Sequence, residues 1–191
     1  PVTVKTRRGE TVVEKDEEPA AINLDKVPTL RPAFAKDGTV TAATSSKISD
    51  GAAATVIMSE EKAAELGVTP LATIVAHAMH SQEPGWFTTA PVGAIANVLR
   101  KAGWTKDDVD LFEVNEAFAA VTMAAMREHD IPHDKINVNG GACALGHPIG
   151  ASGARILTTL INALQQRGLK KGVAALCNGG GEATAIAIEL P

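Results

Sequence analysis

Residues 173–190 read VAALCNGGGEATAIAIEL, two apolar runs joined by a polar, glycine-rich turn. The second run, Ala183–Leu190, shows almost no polar alternation, although a strand with one wet face would need it. It is therefore expected to be buried on both faces, with Val173–Cys177 pairing beside it across the glycines. A sheet covered on both sides needs helices, and the upstream sequence supplies them. Ala151–Gln166 sets Ile156, Leu157, Leu160, Ile161 and Leu164 on one stripe and stops at Gly168. Pro91 opens another helix, with Ile95, Val98 and Leu99 on one face and Gly103 at its end. Glu116–His129 carries Phe118, Val121 and Met126 roughly one face apart. Strands are expected at Leu71–Ala78 and Val109–Val114, with a short one at Ile136–Val138. Strand and helix in alternation define an α/β sheet covered by helices.

The first 70 residues differ. Residues 1–49 are polar and loop-rich, with a hairpin candidate over Val2–Val13, the acidic run EKDEE, and prolines at 19, 28 and 32. Ala52–Met58 is an apolar run, a strand or a buried segment; Ser59 then caps a short helix that Gly67 ends. One strand and one helix cannot bury both faces, so 50–70 is expected to complete a sheet whose other strands lie elsewhere. The chain starts PVTVKTRRGETVV, with no methionine and no signal-peptide pattern, and reads as a piece of a longer protein or one chain of a cut one.

Composition narrows the class. The 191 residues are 45% hydrophobic but only 3% aromatic, which suits close-packed layers of small side chains. A net charge of −4 argues against a nucleic-acid or anionic-membrane partner. No apolar run approaches the roughly 20 residues of a membrane span. The two cysteines, Cys143 and Cys177, are too few for a disulfide framework and point to a reducing compartment, the cytoplasm, with the mitochondrial matrix as alternative.

Four places put a functional side chain at a strand end beside glycine or a helix start: Asn115 in VNEAF, His147 in LGHPIG, Cys177 in LCNGGG and Ser46 in TSSKISDG. The carboxyl ends of strands are where α/β proteins gather ligands. Alone, His147 reads equally well as a satisfied turn residue, and Cys177 as a small buried hydrophobe. Together with Asn115 and three glycines whose amides can serve as oxyanion donors, they read as chemistry. Rival motifs fail: Gly146, Gly150 and Gly153 do not make GxGxxG, and no lysine completes a phosphate loop. GASGA lacks the last glycine of a nucleophile elbow. His77, His80, His129 and His133 have no metal-ligand spacing and read as surface or packing residues. Cys143 reads as a packed small side chain.

VNEAFAA, NVNGGACALGHPIGASGARI and CNGGG, in this order and spacing, resemble the carboxyl-terminal half of a thiolase, closest in flavour to the biosynthetic type. LRPAFAKDGTVTA and SDGAAA also match segments of that family. The resemblance implies a layered αβαβα core, with 1–49 ending the loop domain over the coenzyme A site. By it, 50–70 completes the amino-terminal domain and 71–191 forms the carboxyl-terminal one. It implies interconversion of two acetyl-CoA with acetoacetyl-CoA plus CoA, with the coenzyme A thioester as substrate and no further cofactor or metal. His147 resembles the base that activates a nucleophilic cysteine and, with a water on Asn115, an oxyanion hole. Cys177 resembles the second, acid/base cysteine, and the Gly179 amide the donor of another oxyanion hole.

Ser46, Phe34, Ala42, Ile48, Phe87, Ala117 and Phe118 fall where the family contacts coenzyme A, although ordinary packing explains the apolar ones equally well. No segment matches the family's nucleophile. The implied partners are therefore an amino-terminal half, in the same or a separate chain, and further copies in a homodimer or tetramer. Departures from the family are ATSSK in place of GNASG, Pro19 among acidic residues where a basic one is common, and Phe87 where methionine is frequent. Asn178 also replaces an isoleucine, and Glu182-Ala183 replace Met-Gly. The alternatives are a degradative 3-ketoacyl-CoA thiolase with longer chains and a non-catalytic acyl-CoA-binding scaffold. A cysteine–histidine hydrolase leaves NEAF and the triple glycine without a role.

Overall fold

The computed structural model describes residues 1–191, the side chain of Ala21 excepted. The expected hairpin forms, β1 (Val2–Thr6) against β2 (Gly9–Val13), and stands alone as a two-stranded ribbon. Single helical turns follow: α1 (Glu18–Ala21), then 3-10 turns at Leu24–Thr29 and Ala42–Thr44. After them comes α2 (Glu60–Leu66). Ser59 caps α2 through the Lys62 amide, and Gly67 closes it at φ 64°.

The strand expected at Ala52–Met58 does not form. That run is irregular, with Val56 and Ile57 exposed, because no neighbouring strand among the described residues offers its backbone partners.

The main sheet is built from β3 (Thr73–Ser81), β4 (Leu111–Val114), β5 (Lys171–Cys177) and β6 (Glu182–Glu189), in the order β3-β6-β5-β4. β6 lies antiparallel to both neighbours, whereas β4 runs parallel to β5. Helix α3 (Ala90–Ala102) crosses from β3 to β4 and, with α4 (Ala119–His129), covers one face. Helix α6 (Ser152–Arg167) covers the other. The result is three layers, helix–sheet–helix.

Side-chain alternation assigns each strand residue to a layer. Phe112 and Val114 pack with Ile95, Val98 and Val121, while Leu111 faces Ile156, Leu160 and Leu164. β6 divides likewise: Ala183, Ala185 and Ala187 face α3, and Ile188 and Leu190 face α6. The expectation of burial on both faces holds for the alanines and for Ile188 and Leu190, whereas Ile186 and Glu189 are half-buried and Thr184 is exposed.

Two boundaries also differ from the sequence reading. Ile136–Val138 makes only one bridge, Phe112 to Ile136, because Asn137 turns at φ 47°. Its amide then bonds Val114, Oδ1 accepting from N and Nδ2 donating to O, so the side chain supplants the strand ladder. Helix α4 starts at Ala119 rather than Glu116, since Phe118 is extended.

Candidate active site

The parallel pairing of β4 and β5 brings their carboxyl ends to one edge. Asn115 follows β4 directly, its amide N–H donating to the Ala175 carbonyl at 2.9 Å, and Cys177 ends β5. His147 reaches this edge from the loop between α5 (Ala142–Leu145) and α6.

One hydrogen-bonded line fixes its ring. Asn115 Nδ2 donates to Nε2 (3.3 Å), and Nδ1 donates to the Ser152 hydroxyl (2.6 Å). Ser152, fully buried in the first turn of α6, donates onward to the Pro148 carbonyl (3.0 Å). All three donors are satisfied in order only by a neutral ring with its lone pair on Nε2. Burial lowers the ring's proton affinity first, and the charge of Arg155 lowers it further. Asn115 Oδ1 is buried without a protein partner, which is the setting in which a bound water is favourable.

Cys177 is a free thiol whose pKa burial pushes up, partly opposed by a backbone hydrogen bond. Beyond it the turn is tightly defined. Asn178 N–H donates to the Glu182 carbonyl, and Asn178 Oδ1 accepts from Gly180. Gly181 takes φ 97°, and a side chain there would strike the Gln82 carbonyl and Pro84 backbone. Among the described residues the Gly179 amide donates to no protein acceptor, so it remains open to a ligand.

The segment 45–49 clasps both sides of this edge. Ser46 donates to the Ala117 carbonyl through its amide (3.1 Å) and its hydroxyl (2.9 Å). One residue on, the Lys47 carbonyl accepts from the His147 amide (2.8 Å), and Ile48 bridges His147. Gly146, at φ 88°, lets Ser49 lie against the chain where a Cβ would collide with it. Lys47 is paired with Glu18, whose hydrogen bond and then charge raise its hold on a proton.

Phe118 packs edge-on against Phe34 (5.9 Å) and Phe87 (6.4 Å). Ser46, Ile48, Phe34, Phe87, Ala117 and Phe118 are thus contiguous around His147. Ala42 sits in the 3-10 turn just before the clasp, exposed and without a described contact to it.

Sequence reasoning missed Ser152 and the anchoring of Glu116. The Glu116 carboxylate accepts from the Cys143 amide (3.1 Å) and Asn137 Nδ2 (3.0 Å), which binds the NEAF turn to the glycine-rich loop. Gly141 lies so close to it that a Cβ would overlap the carboxylate. The signal for Ser152 was its place five residues after His147, at a helix start. Cys143 packs beside Glu116; burial first, then that carboxylate, push its thiol up to about 12, a poor nucleophile. Among the described residues no group of histidines, cysteines and carboxylates gathers as metal ligands, and no helix is long and apolar enough to cross a membrane.

The fold is that of one family. The family model described as "Thiolase, C-terminal domain" matches residues 68–190, and "Thiolase, N-terminal domain" matches residues 1–61. The chain belongs to the thiolase family. It is 54% identical over 179 residues to a probable acetyl-CoA acetyltransferase of Dictyostelium discoideum, covering 94% of this chain and 43% of that protein. It is 50% identical over 192 residues to the acetyl-CoA acetyltransferase of Paracoccus denitrificans, covering 100% and 49%. The crystal structure of the Bacillus anthracis acetyl-CoA acetyltransferase superposes with a TM-score of 0.92 at 49% identity, over 100% of this chain and 49% of that one. Human mitochondrial 3-ketoacyl-CoA thiolase gives 0.87 at 40%, over 100% and 49%. The chain spans about half the length of these relatives.

Proposed function

We infer that the protein is an acyl-CoA acetyltransferase, interconverting two acetyl-CoA with acetoacetyl-CoA plus CoA, together with an amino-terminal half that supplies the nucleophilic cysteine. The observation that carries this reading is the neutral His147 ring, its Nδ1 held by Ser152 and its Nε2 lone pair turned to Asn115, at the edge where Cys177 ends β5.

In the first step Nε2 accepts the proton of the nucleophilic thiol, whose sulfur attacks the acyl carbonyl. The coenzyme A sulfur leaves with the proton of Cys177, so Cys177 becomes a thiolate and the imidazole keeps its proton on Nε2. The free Gly179 amide faces the charge that develops on the carbonyl oxygen. In the second step the Cys177 thiolate removes a proton from the methyl of acetyl-CoA, while Nε2–H of the protonated imidazole and a water on Asn115 donate to the enolate oxygen. The new carbon–carbon bond expels the nucleophilic sulfur, which takes its proton back from Nε2, and Cys177 is left a thiol again. A thiol whose pKa burial raises gives a correspondingly basic thiolate, which suits so weak a carbon acid.

Ser46, Ala42, Ile48 and Ala117, with the rings of Phe34, Phe87 and Phe118, line the path of the pantetheine. The likeness to proteins named acetyl-CoA acetyltransferase favours a two-carbon acyl group over the longer chains of a degradative 3-ketoacyl-CoA thiolase. Support for the amino-terminal half comes from the outer face of β3, where Val75 and Met79 are exposed. Beside them an open cavity of about 380 Å³ runs between Thr55, Leu157 and Thr184. A bare apolar face of this kind marks an interface. By this reading 1–49 ends the loop domain, 50–70 completes the amino-terminal domain, and 71–191 is the carboxyl-terminal domain of an αβαβα core. Two reduced cysteines suit the cytoplasm.

The test is acetoacetyl-CoA cleavage with free CoA, run with His147→Ala beside the wild type. Loss of the oxyanion contact alone costs on the order of 10²–10³ in rate, and loss of thiol activation adds to it. Near-normal formation of the acyl-enzyme by His147→Ala would show that the ring is structural.

A further inference from the structure

Beneath the histidine lies a charged pair that this chemistry does not use. Glu113 sits within β4, its side chain 2% exposed, and Arg155 of α6 reaches it, Nη1 to Oε1 at 3.3 Å. Withdrawing a carboxylate this far from water is expensive, and burial raises its pKa from 4.5 to about 7 despite the arginine. A leucine there would pack with no such cost.

Its place explains its presence. Glu113 and Asn115 are two apart on one strand and so share a face; Ser152 and Arg155 are three apart on one helix and share a face. Two ties therefore run side by side between β4 and α6, one through Asn115, His147 and Ser152, the other through Glu113 and Arg155. The second sets the strand-to-helix spacing on which the first depends. Charged groups stand on each element around the His147 loop: Glu113 in β4, Glu116 in the turn after it, Lys47 in the clasp with its partner Glu18 of α1, and Arg155 in α6. Arg155 is the one whose charge reaches the ring.

We propose that Glu113 and Arg155 are a positioning pair, which holds His147 against Asn115 and sets the charge its ring feels. The pair touches no substrate and acts through the histidine; the proposal rests on reading His147 as the proton acceptor. Its sign follows from the geometry. Below the ordinary histidine pKa, where the ring titrates, the raised pKa of Glu113 leaves it mostly protonated, so the positive charge of Arg155 stands uncompensated and disfavours a second one on the imidazole.

The test is the ring titration of His147, read by NMR in the purified protein labelled with carbon-13 histidine and assigned with H147Q. R155Q should move the midpoint upward. E113Q and R155K, which keep the cation, should leave it in place. R155K nevertheless loses the planar fork, and kcat/KM should fall on the order of tenfold. A role in packing alone would loosen all three variants without this separation. Should R155Q not fold, E113Q/R155Q leaves no lone buried charge and carries the same upward expectation. An unchanged midpoint in the variants lacking Arg155, or wild-type kcat/KM in R155K, overturns the proposal. The titration needs no turnover, so predicted midpoints in a protein that does not cleave acetoacetyl-CoA would refute the function and leave the pair standing.

Discussion

Ser152→Ala removes one oxygen and tests the tautomer of His147. The hydroxyl is fully buried, accepts the Nδ1 proton at 2.6 Å and donates to the Pro148 carbonyl at 3.0 Å. The carbonyl loses little, because it also accepts from the amides of Ala151 and Ser152 at 2.8 Å. The ring loses its only described Nδ1 partner. A hydrogen bond contributes about 0.5–1.5 kcal/mol, and a stranded buried donor costs about 1–3 kcal/mol. The ring escapes that cost by moving its proton to Nε2, where it faces the Asn115 amide and can no longer accept from a thiol. At about 1.4 kcal/mol per tenfold, kcat/KM should fall roughly 10- to 100-fold, with unfolding stability lower by about 1 kcal/mol. Steady-state cleavage of acetoacetyl-CoA and a urea melt measure the two. Activity within twofold of wild type, in a folded protein, would refute the assignment of the proton to Nδ1.

Three further outcomes are expected. Cys177→Ala should abolish condensation yet still form the acyl-enzyme, seen as an acetyl mass increment on the protein; full condensation would remove the residue from the chemistry. Acylation should hold its rate below the ordinary histidine range and fall only as pH drops through the lowered pKa of His147. The same depression means that the stability from burying the neutral ring is present above the unfolded pKa and is lost as pH falls through the folded one. An acid limb above pH 6.5 in a kcat/KM profile would contradict this. Gly181→Ala combines positive φ with collision against backbone at Gln82 and Pro84, so it should cost about 2–4 kcal/mol and disturb the Cys177 turn. Thermal melts settle the point.

The elements that announced themselves were those with chemical punctuation. Ser59 and Gly67 bracket α2; Gly103 and Gly168 end α3 and α6 in the left-handed conformation, as the spacing required. The outer strands and the histidine, asparagine and cysteine at the strand edge were legible for the same reason: apolar runs ended by residues with work to do. What failed was whatever depends on a neighbour. Ala52–Met58 is as apolar as many strands, but strand formation needs a partner backbone, which periodicity cannot reveal. Ile136–Val138 was lost to a local competitor, the Asn137 amide, which satisfied Val114 before another strand could. Ser152 and the Glu113–Arg155 pair were invisible because their meaning arises only when β4 and α6 lie side by side, 42 residues apart in the chain.

The clasp carries a consequence for how this protein can diversify. Ser46 holds Ala117 on one side, and one residue later the Lys47 carbonyl holds the amide of His147 on the other. On the proposed function, five consecutive residues that would border the pantetheine are therefore also the backbone splint of the base. Affinity and turnover cannot be tuned apart at these positions: a substitution that reshapes the segment drags the imidazole with it, and KM and kcat change together. Sequence drift that explores new acyl-thioester carriers is then confined to the aromatic wall of Phe34 and Phe87, whose side chains press on Phe118 but whose backbones hold nothing catalytic.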